Sequence, residues 1–236
     1  MAEPDWLKKI PEEKYLNEDF TASGKAKYTI DGINKEDPEW LEKAAKKVHA
    51  AEGDDYVKLD AGLLTVNQLN WMLHQTLGEL TFVDENNQFL WYNRPVDPDK
   101  KKLAKRVPSQ VGDTMGAVHP NVRDVIPEAK KVVYALRNKV DGHTEVKMPV
   151  PNGNRHKMIL HNYRRIEDDE GNYAGIYEWV QDLYPLVKYF CETTGQKLVD
   201  DPDAVSGATF KRDAQSGASI KEESPKIDSN SGASQH

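Results

Sequence analysis

Three alternating runs, residues 144–150, 158–166 and 173–181, are separated by Pro151-Asn152-Gly153-Asn154 and Asp168-Asp169-Glu170-Gly171-Asn172. Both separators are rich in the Asn, Asp and Gly that tight chain reversals require, so the three runs must lie antiparallel, side by side. This meander constrains the fold more than any other feature of the chain. On the last run Tyr173, Tyr177 and Trp179 point one way, whereas Ala174, Ile176 and Val180 point the other. Both faces of the sheet are therefore largely apolar. One would bury inner helices, and the other needs a cover from the N-terminal helices or a second chain.

Upstream the period changes. Asp37 is a good N-cap with Pro38 at the first helical position, Trp40, Leu41, Ala44, Ala45 and Val48 make an apolar stripe, and Gly53 marks a stop. Thr65 opens a second helix, with Gln68 completing a capping box and Val66, Leu69, Met72, Leu73 and Leu77 on its apolar face. Leu80, Phe82, Phe89 and Trp91 then alternate on either side of the turn Asp84-Glu85-Asn86-Asn87. A helix is expected over residues 122–140, with Pro127 bending it or delaying its start, and a short one over residues 183–192. The predicted class is α+β: a five-stranded antiparallel sheet with helices on one face, a helical N-terminal extension and a disordered C-terminal tail.

With 38% hydrophobic and 30% charged residues, a compact core flanked by solvated segments is expected. The divisions are a polar extension (1–56), a folded domain (57–193) and a flexible tail (194–236). A net charge of −7 argues against a nucleic-acid partner, and the basic run Lys100, Lys101, Lys102, Lys105 and Arg106 reads as a solvated loop rather than a phosphate-binding patch. Cys191 is the only cysteine, which excludes a disulfide framework and any cysteine-based metal site. No leader or apolar run of membrane-spanning length is visible, so a cytoplasmic protein without a membrane partner is expected. Neither a nucleophilic triad nor a phosphate-cradling glycine loop is present, so no built-in active site is predicted.

The stretches LTFVDENNQFLWYN (80–93), VGDTMGAVHP (111–120) and DDEGNYAGIYEWVQDL (168–183) resemble a bacterial PAS branch found after hemerythrin-like domains in proteins of unknown function. The resemblance covers about residues 57–192. It departs from the branch at Val118-His119-Pro120-Asn121, where Cys-His-Pro-Pro is frequent, and no hemerythrin domain precedes it here. It implies a sensing or docking module, with homodimerisation through the PAS domain, and makes His119 a candidate ligand for haem or another PAS ligand. A turn or capping role is the alternative for His119. His161, beside Ile159 and Tyr163 on one strand face, reads as a core or interface histidine, His143 as solvent-facing, and Cys191 as a small packed hydrophobe.

The sequence Asp-x-x-Ser-Gly-Ala-Thr/Ser occurs three times in the tail. The copies are Asp203, Ser206, Gly207, Ala208, Thr209; Asp213, Ser216, Gly217, Ala218, Ser219; and Asp228, Ser231, Gly232, Ala233, Ser234. It resembles the acceptor sequence of covalent flavoproteins, in which an FAD:protein FMN transferase joins the FMN phosphate to the final hydroxyl. The resemblance implies up to three FMN groups, on Thr209, Ser219 and Ser234. A flexible tail from about Asp200 would reach roughly 35 Å, so the chain is expected to act as a cytoplasmic flavin-bearing electron carrier serving a flavin-dependent reductase or other redox partner. It would not itself be an enzyme. The alternative is a PAS-type ligand-sensing or regulatory module with a tail that has no redox role, since Ser, Gly, Ala and Asp also compose message-free tails.

Overall fold

The computed structural model describes residues 3–16, 18, 28–93, 103–104, 106–119, 125–150 and 152–199. In chain order these form α1 (Asp5–Lys8), α2 (Glu12–Tyr15), α3 (Trp40–Val48), β1 (Tyr56–Leu59), β2 (Gly62–Thr65), α4 (Val66–His74), β3 (Glu79–Asp84) and β4 (Phe89–Tyr92). There follow α5 (Met115–Val118), α6 (Val125–Arg137), β5 (Glu145–Val150), β6 (Ile159–Glu167), β7 (Tyr173–Asp182) and α7 (Tyr184–Thr194). All three copies of the tail sequence lie outside the described residues.

The expected α+β architecture is present. Five antiparallel strands run in the order β4-β3-β7-β6-β5, and β1 pairs with β2 in a separate hairpin that the alternation did not announce. The meander joins the first hairpin through β3 and β7, with Leu80 opposite Trp179 and Phe82 opposite Tyr177. Because the first and last strands of the sheet are central neighbours, the connection carrying α5 and α6 must cross one face. On that face Val83, Phe89, Val146, Met148 and Ile176 pack with Met115, Val118, Val132, Val133 and Leu136.

The polar N-terminal stretch supplies the same core. Leu7, Ile10, Tyr15, Trp40 and Ala44 are buried in the cluster, with α1 and α2 on the outer side of α6. A polar latch ties residues 29 and 30 to the β3–β4 turn. Ile30 N donates to Gln88 Oε1 (2.9 Å), and Gln88 Nε2 donates to Ile30 O (3.1 Å) and Gly112 O (3.0 Å). Asp84 accepts from Asn86 N (3.0 Å), Gln88 N (2.8 Å) and the Thr29 hydroxyl. Next to this latch the Trp40 ring lies against Gly112, whose φ is +92° and where a Cβ would come within 2.3 Å of the indole. Only glycine meets both demands at that position.

Local differences from the sequence reading have physical causes. The first long helix begins at Trp40, because Asp37 Oδ1 accepts from Glu39 N (2.9 Å) in a turn rather than capping the helix. It ends at His49 in the left-handed region (φ 54°), short of Gly53. Thr65 and Gln68 do form the capping box, at 3.1 and 2.9 Å. Pro127 sits in the first turn of α6, where no amide hydrogen is needed, and so neither bends nor delays the helix. Ile166 pairs with Gly175 and Glu167 with Tyr173, which leaves Ala174 as an extra residue. The bulge reverses the parity of Tyr173, which packs on the core and between Arg137 and Arg165 rather than sharing the face of Tyr177. Arg165 also donates to the Leu136 and Arg137 carbonyls (2.9 and 2.6 Å), closing the C-terminus of α6.

Neither α4 nor α7 buries a side chain, and Trp71, Met72, Leu77, Tyr189 and Phe190 are exposed. Among the described residues no helix is long and apolar enough to cross a membrane.

Candidate ligand pocket

A cavity of about 40 Å³ lies between the inner face of β3, β6 and β7 and the helices α5 and α6. Its lining is mostly apolar, with Val83, Phe89, Val118 and Val133 among the contributors, but Arg106, His119, Tyr163 and Glu178 also enter it.

Glu178 is the centre of the polar part. Alternation along β7 turns it inward between Ile176 and Val180, and it is 6% exposed. Its Oε1 lies 3.0 Å from His161 Nδ1 and its Oε2 accepts from Arg106 Nη2 at 3.1 Å. Tyr163 stands opposite Glu178 in the β6–β7 register, with its hydroxyl 3.3 Å from His161 Nδ1. Burial alone would raise the Glu178 pKa, but the His161 hydrogen bond and the Arg106 charge outweigh it and hold the carboxyl at about 2. Tyr163 is driven well above its ordinary range by burial, and the Glu178 charge adds to the effect.

The chain before Arg106 is fixed from the sheet. Both oxygens of Glu79 accept backbone amides, from Leu103 and Ala104, at 2.6 Å each. The anchor aims Arg106 inward across the Phe89 ring, 5.8 Å from its centroid. Arg106 was read as one of five basic residues in a solvated loop; the other four lie outside the described residues, and Arg106 itself is a core cation.

His119 takes the capping role considered for it and also lines the cavity. Thr114 caps α5 by accepting from Ala117 N (3.2 Å), and five residues later His119 ends the helix, with its Nδ1 2.7 Å from the Met115 carbonyl. That geometry puts the proton on Nδ1 and the lone pair on Nε2. The ring keeps some accessible area but is densely surrounded, and burial lowers its pKa, so the imidazole is neutral near pH 7. At about 40 Å³ the cavity suits a molecule of a few heavy atoms and does not fit a haem macrocycle.

His161 is buried at 3% exposure, as the strand pattern predicts. His143 is not solvent-facing as expected: its ring stacks on Trp6 at 3.9 Å. Cys191 is half-buried on α7. Among the described residues no group of three or more His, Cys, Asp or Glu could hold a metal ion. The sequence reading missed Arg106 and Glu178. Glu178 did leave a signal: a carboxylate at an inward strand position must have a partner, and the nearest cationic side chains by register are few.

The PAS domain family profile matches residues 69–184. The crystal structure of a C-terminal domain from Streptococcus mutans is 30% identical with a TM-score of 0.51, over 58% of this chain and 99% of that one. A VqmA–ligand–DNA complex from Vibrio cholera matches at 17% identity and TM-score 0.34, over 58% of this chain and 61% of that one. An RNA-binding light-oxygen-voltage receptor matches at 12% and 0.34, over 66% and 46%. No curated protein matches. The five-stranded sheet, the helices crossing its inner face, the matching profile and the S. mutans relative together place this chain in the PAS family, with the PAS domain at residues 69–184.

Proposed function

We propose that this chain is a ligand-sensing PAS module whose inner pocket holds a small polar molecule. The observation that carries the reading is the Arg106–Glu178–His161 network on the wall of a cavity. Buried ion pairs cost desolvation that apolar packing avoids, so they are poor devices for stability alone. Placed around an enclosed space, they give a ligand something to recognise. The test is native mass spectrometry of protein taken gently from its host, compared with Val132→Phe, which fills the cavity. The expected result is a small bound species in the parent and none in the variant. A parent that carries nothing and whose melting temperature no small molecule changes would remove the reading.

A second reading has its own observation, the three tail copies ending at Thr209, Ser219 and Ser234. Each hydroxyl would take FMN from FAD as a phosphoester, with AMP as the leaving group, through an FAD:protein FMN transferase. The ring system would then carry electrons for a flavin-dependent reductase or similar partner, while the PAS domain regulates or docks. Gly207-Ala208, Gly217-Ala218 and Gly232-Ala233 leave little bulk beside the incoming phosphate. Intact-mass analysis from the native host, with its transferase working, is expected to show one to three FMN additions, each less one water. An unmodified mass would leave the sensing reading to stand alone.

A further inference from the structure

The pocket's charge inventory narrows its ligand, given the ligand-sensing reading above. Groups that carry or can accept positive charge line it from two elements, Arg106 from the chain after Glu79's anchor and His119 at the end of α5, while His161 on β6 stands behind Glu178 and outside the lining. Of the described lining residues only Glu178 is a carboxylate, and Arg106 already matches its charge. Tyr163 contributes a hydroxyl that stays protonated, and Glu128 of α6 is the other carboxylate whose field reaches it. β3 contributes only Thr81 and Val83 to the lining, and neither titrates.

An added cation would therefore find no unmatched carboxylate in the described lining. A wholly neutral, apolar molecule would leave the ionic wall without a role. An anion would meet a wall on which the Arg106 and Glu178 charges already offset each other, and an unmatched charge in so apolar a space is costly. His119, kept neutral by burial, lines the same space, however, and can take up the compensating proton. Size agrees with a very small acid: at roughly 10–15 Å³ per water position, the cavity volume corresponds to about three such positions.

We propose that the pocket binds a short-chain carboxylate of about three to five heavy atoms, taken up together with one proton that settles on His119. No bond is made or broken; acid and proton enter as a pair, equivalent to binding the neutral carboxylic acid. The affinity measured for the anion should then rise as pH falls.

The experiment uses the full chain and isothermal titration calorimetry with three near-isosteric probes at equal ionic strength: acetate, acetamide and acetamidinium. Amide and imidazole NMR signals of Tyr163 and His119 would be followed in parallel. Acetate is expected to bind and to tighten about tenfold per unit fall in pH between 8 and 6.5. Buffers of different ionisation enthalpy should report one proton taken up per acetate. Arg106→Gln should weaken acetate at least tenfold, and the proton count on the unaltered protein decides the matter if that variant fails to fold. Acetamide binding as tightly as acetate, or acetate binding without proton uptake, would overturn the carboxylate assignment while leaving a pocket that binds ligands. Silence of the pocket signals toward all three probes and toward propanol would overturn both this inference and the reading it rests on.

Discussion

Two buried polar clusters in this protein use the same kinds of side chain for different ends. In the latch, Asp84 and Gln88 bond almost entirely to backbone: Asn86 N, Gln88 N, Ile30 N and O, and Gly112 O. In the pocket, Glu178, His161, Arg106 and Tyr163 bond to one another around an open volume. Backbone-directed bonds satisfy groups that the fold itself would orphan, and so they set chain path. The bonds described in the pocket join side chain to side chain and set no chain path. The first cluster is understood from the fold; the second asks for a ligand.

The contrast can be broken most directly at Glu178. Glu178→Gln removes the carboxylate charge from a buried ion pair and is expected to cost about 3–5 kcal/mol, read by urea denaturation, and to abolish ligand-induced stabilisation as well. Gln88→Ala removes three bonds to backbone and should cost about 2–3 kcal/mol, yet leave the affinity for a pocket ligand within a factor of two. A Gln88 variant that loses the ligand in step with stability would merge the two clusters into one.

Acid titration sharpens the same contrast through opposite signs. The folded Glu178 pKa is depressed from 4.5 to about 2, so its stabilisation is full above 4.5 and lost as pH falls toward 2. The Asp84 pKa is raised above 3.8, chiefly by burial and against the Thr29 hydrogen bond. Its ionisation therefore opposes folding, and stability is lost as pH rises from 3.8 through the folded value. Unfolding midpoints taken from pH 2.5 to 5.5 should show a shallower acid loss in Glu178→Gln than in the parent, and a steeper one in Asp84→Asn. Parallel curves for the two variants would refute the assignment. The smallest effect belongs to neither cluster: Thr65→Ala removes a cap remote from both and should cost about 1 kcal/mol with no change in pH slope or ligand affinity.

The sheet was legible because hairpin turns and alternation are local properties. Asn152-Gly153 and Gly171-Asn172 set two reversals, and the strands follow within a residue or two. The α4 start was legible for the same reason, since Thr65 and Gln68 are three residues apart. What the sequence hid depends on distant partners. Arg106 looks like one more base in a lysine-rich stretch until Glu79 takes the amides of Leu103 and Ala104 and turns it inward. The N-terminal stretch looks polar because its few apolar residues, Leu7, Ile10 and Tyr15, find their neighbours on a helix more than a hundred positions later. A single bulged residue reverses the parity of Tyr173, and its one local sign is Gly175 inside the strand, at φ +140°.

The docking of α1 and α2 on α6 also has a consequence for synthesis. Glu3 meets Lys131 across 128 positions of chain (2.7 Å), and Leu7 reaches 0% exposure only once that later helix exists. During vectorial translation the opening segment leaves the ribosome long before its binding surface does. Its greasy side chains must wait in water, or on a chaperone, until the residues of α6 have been made.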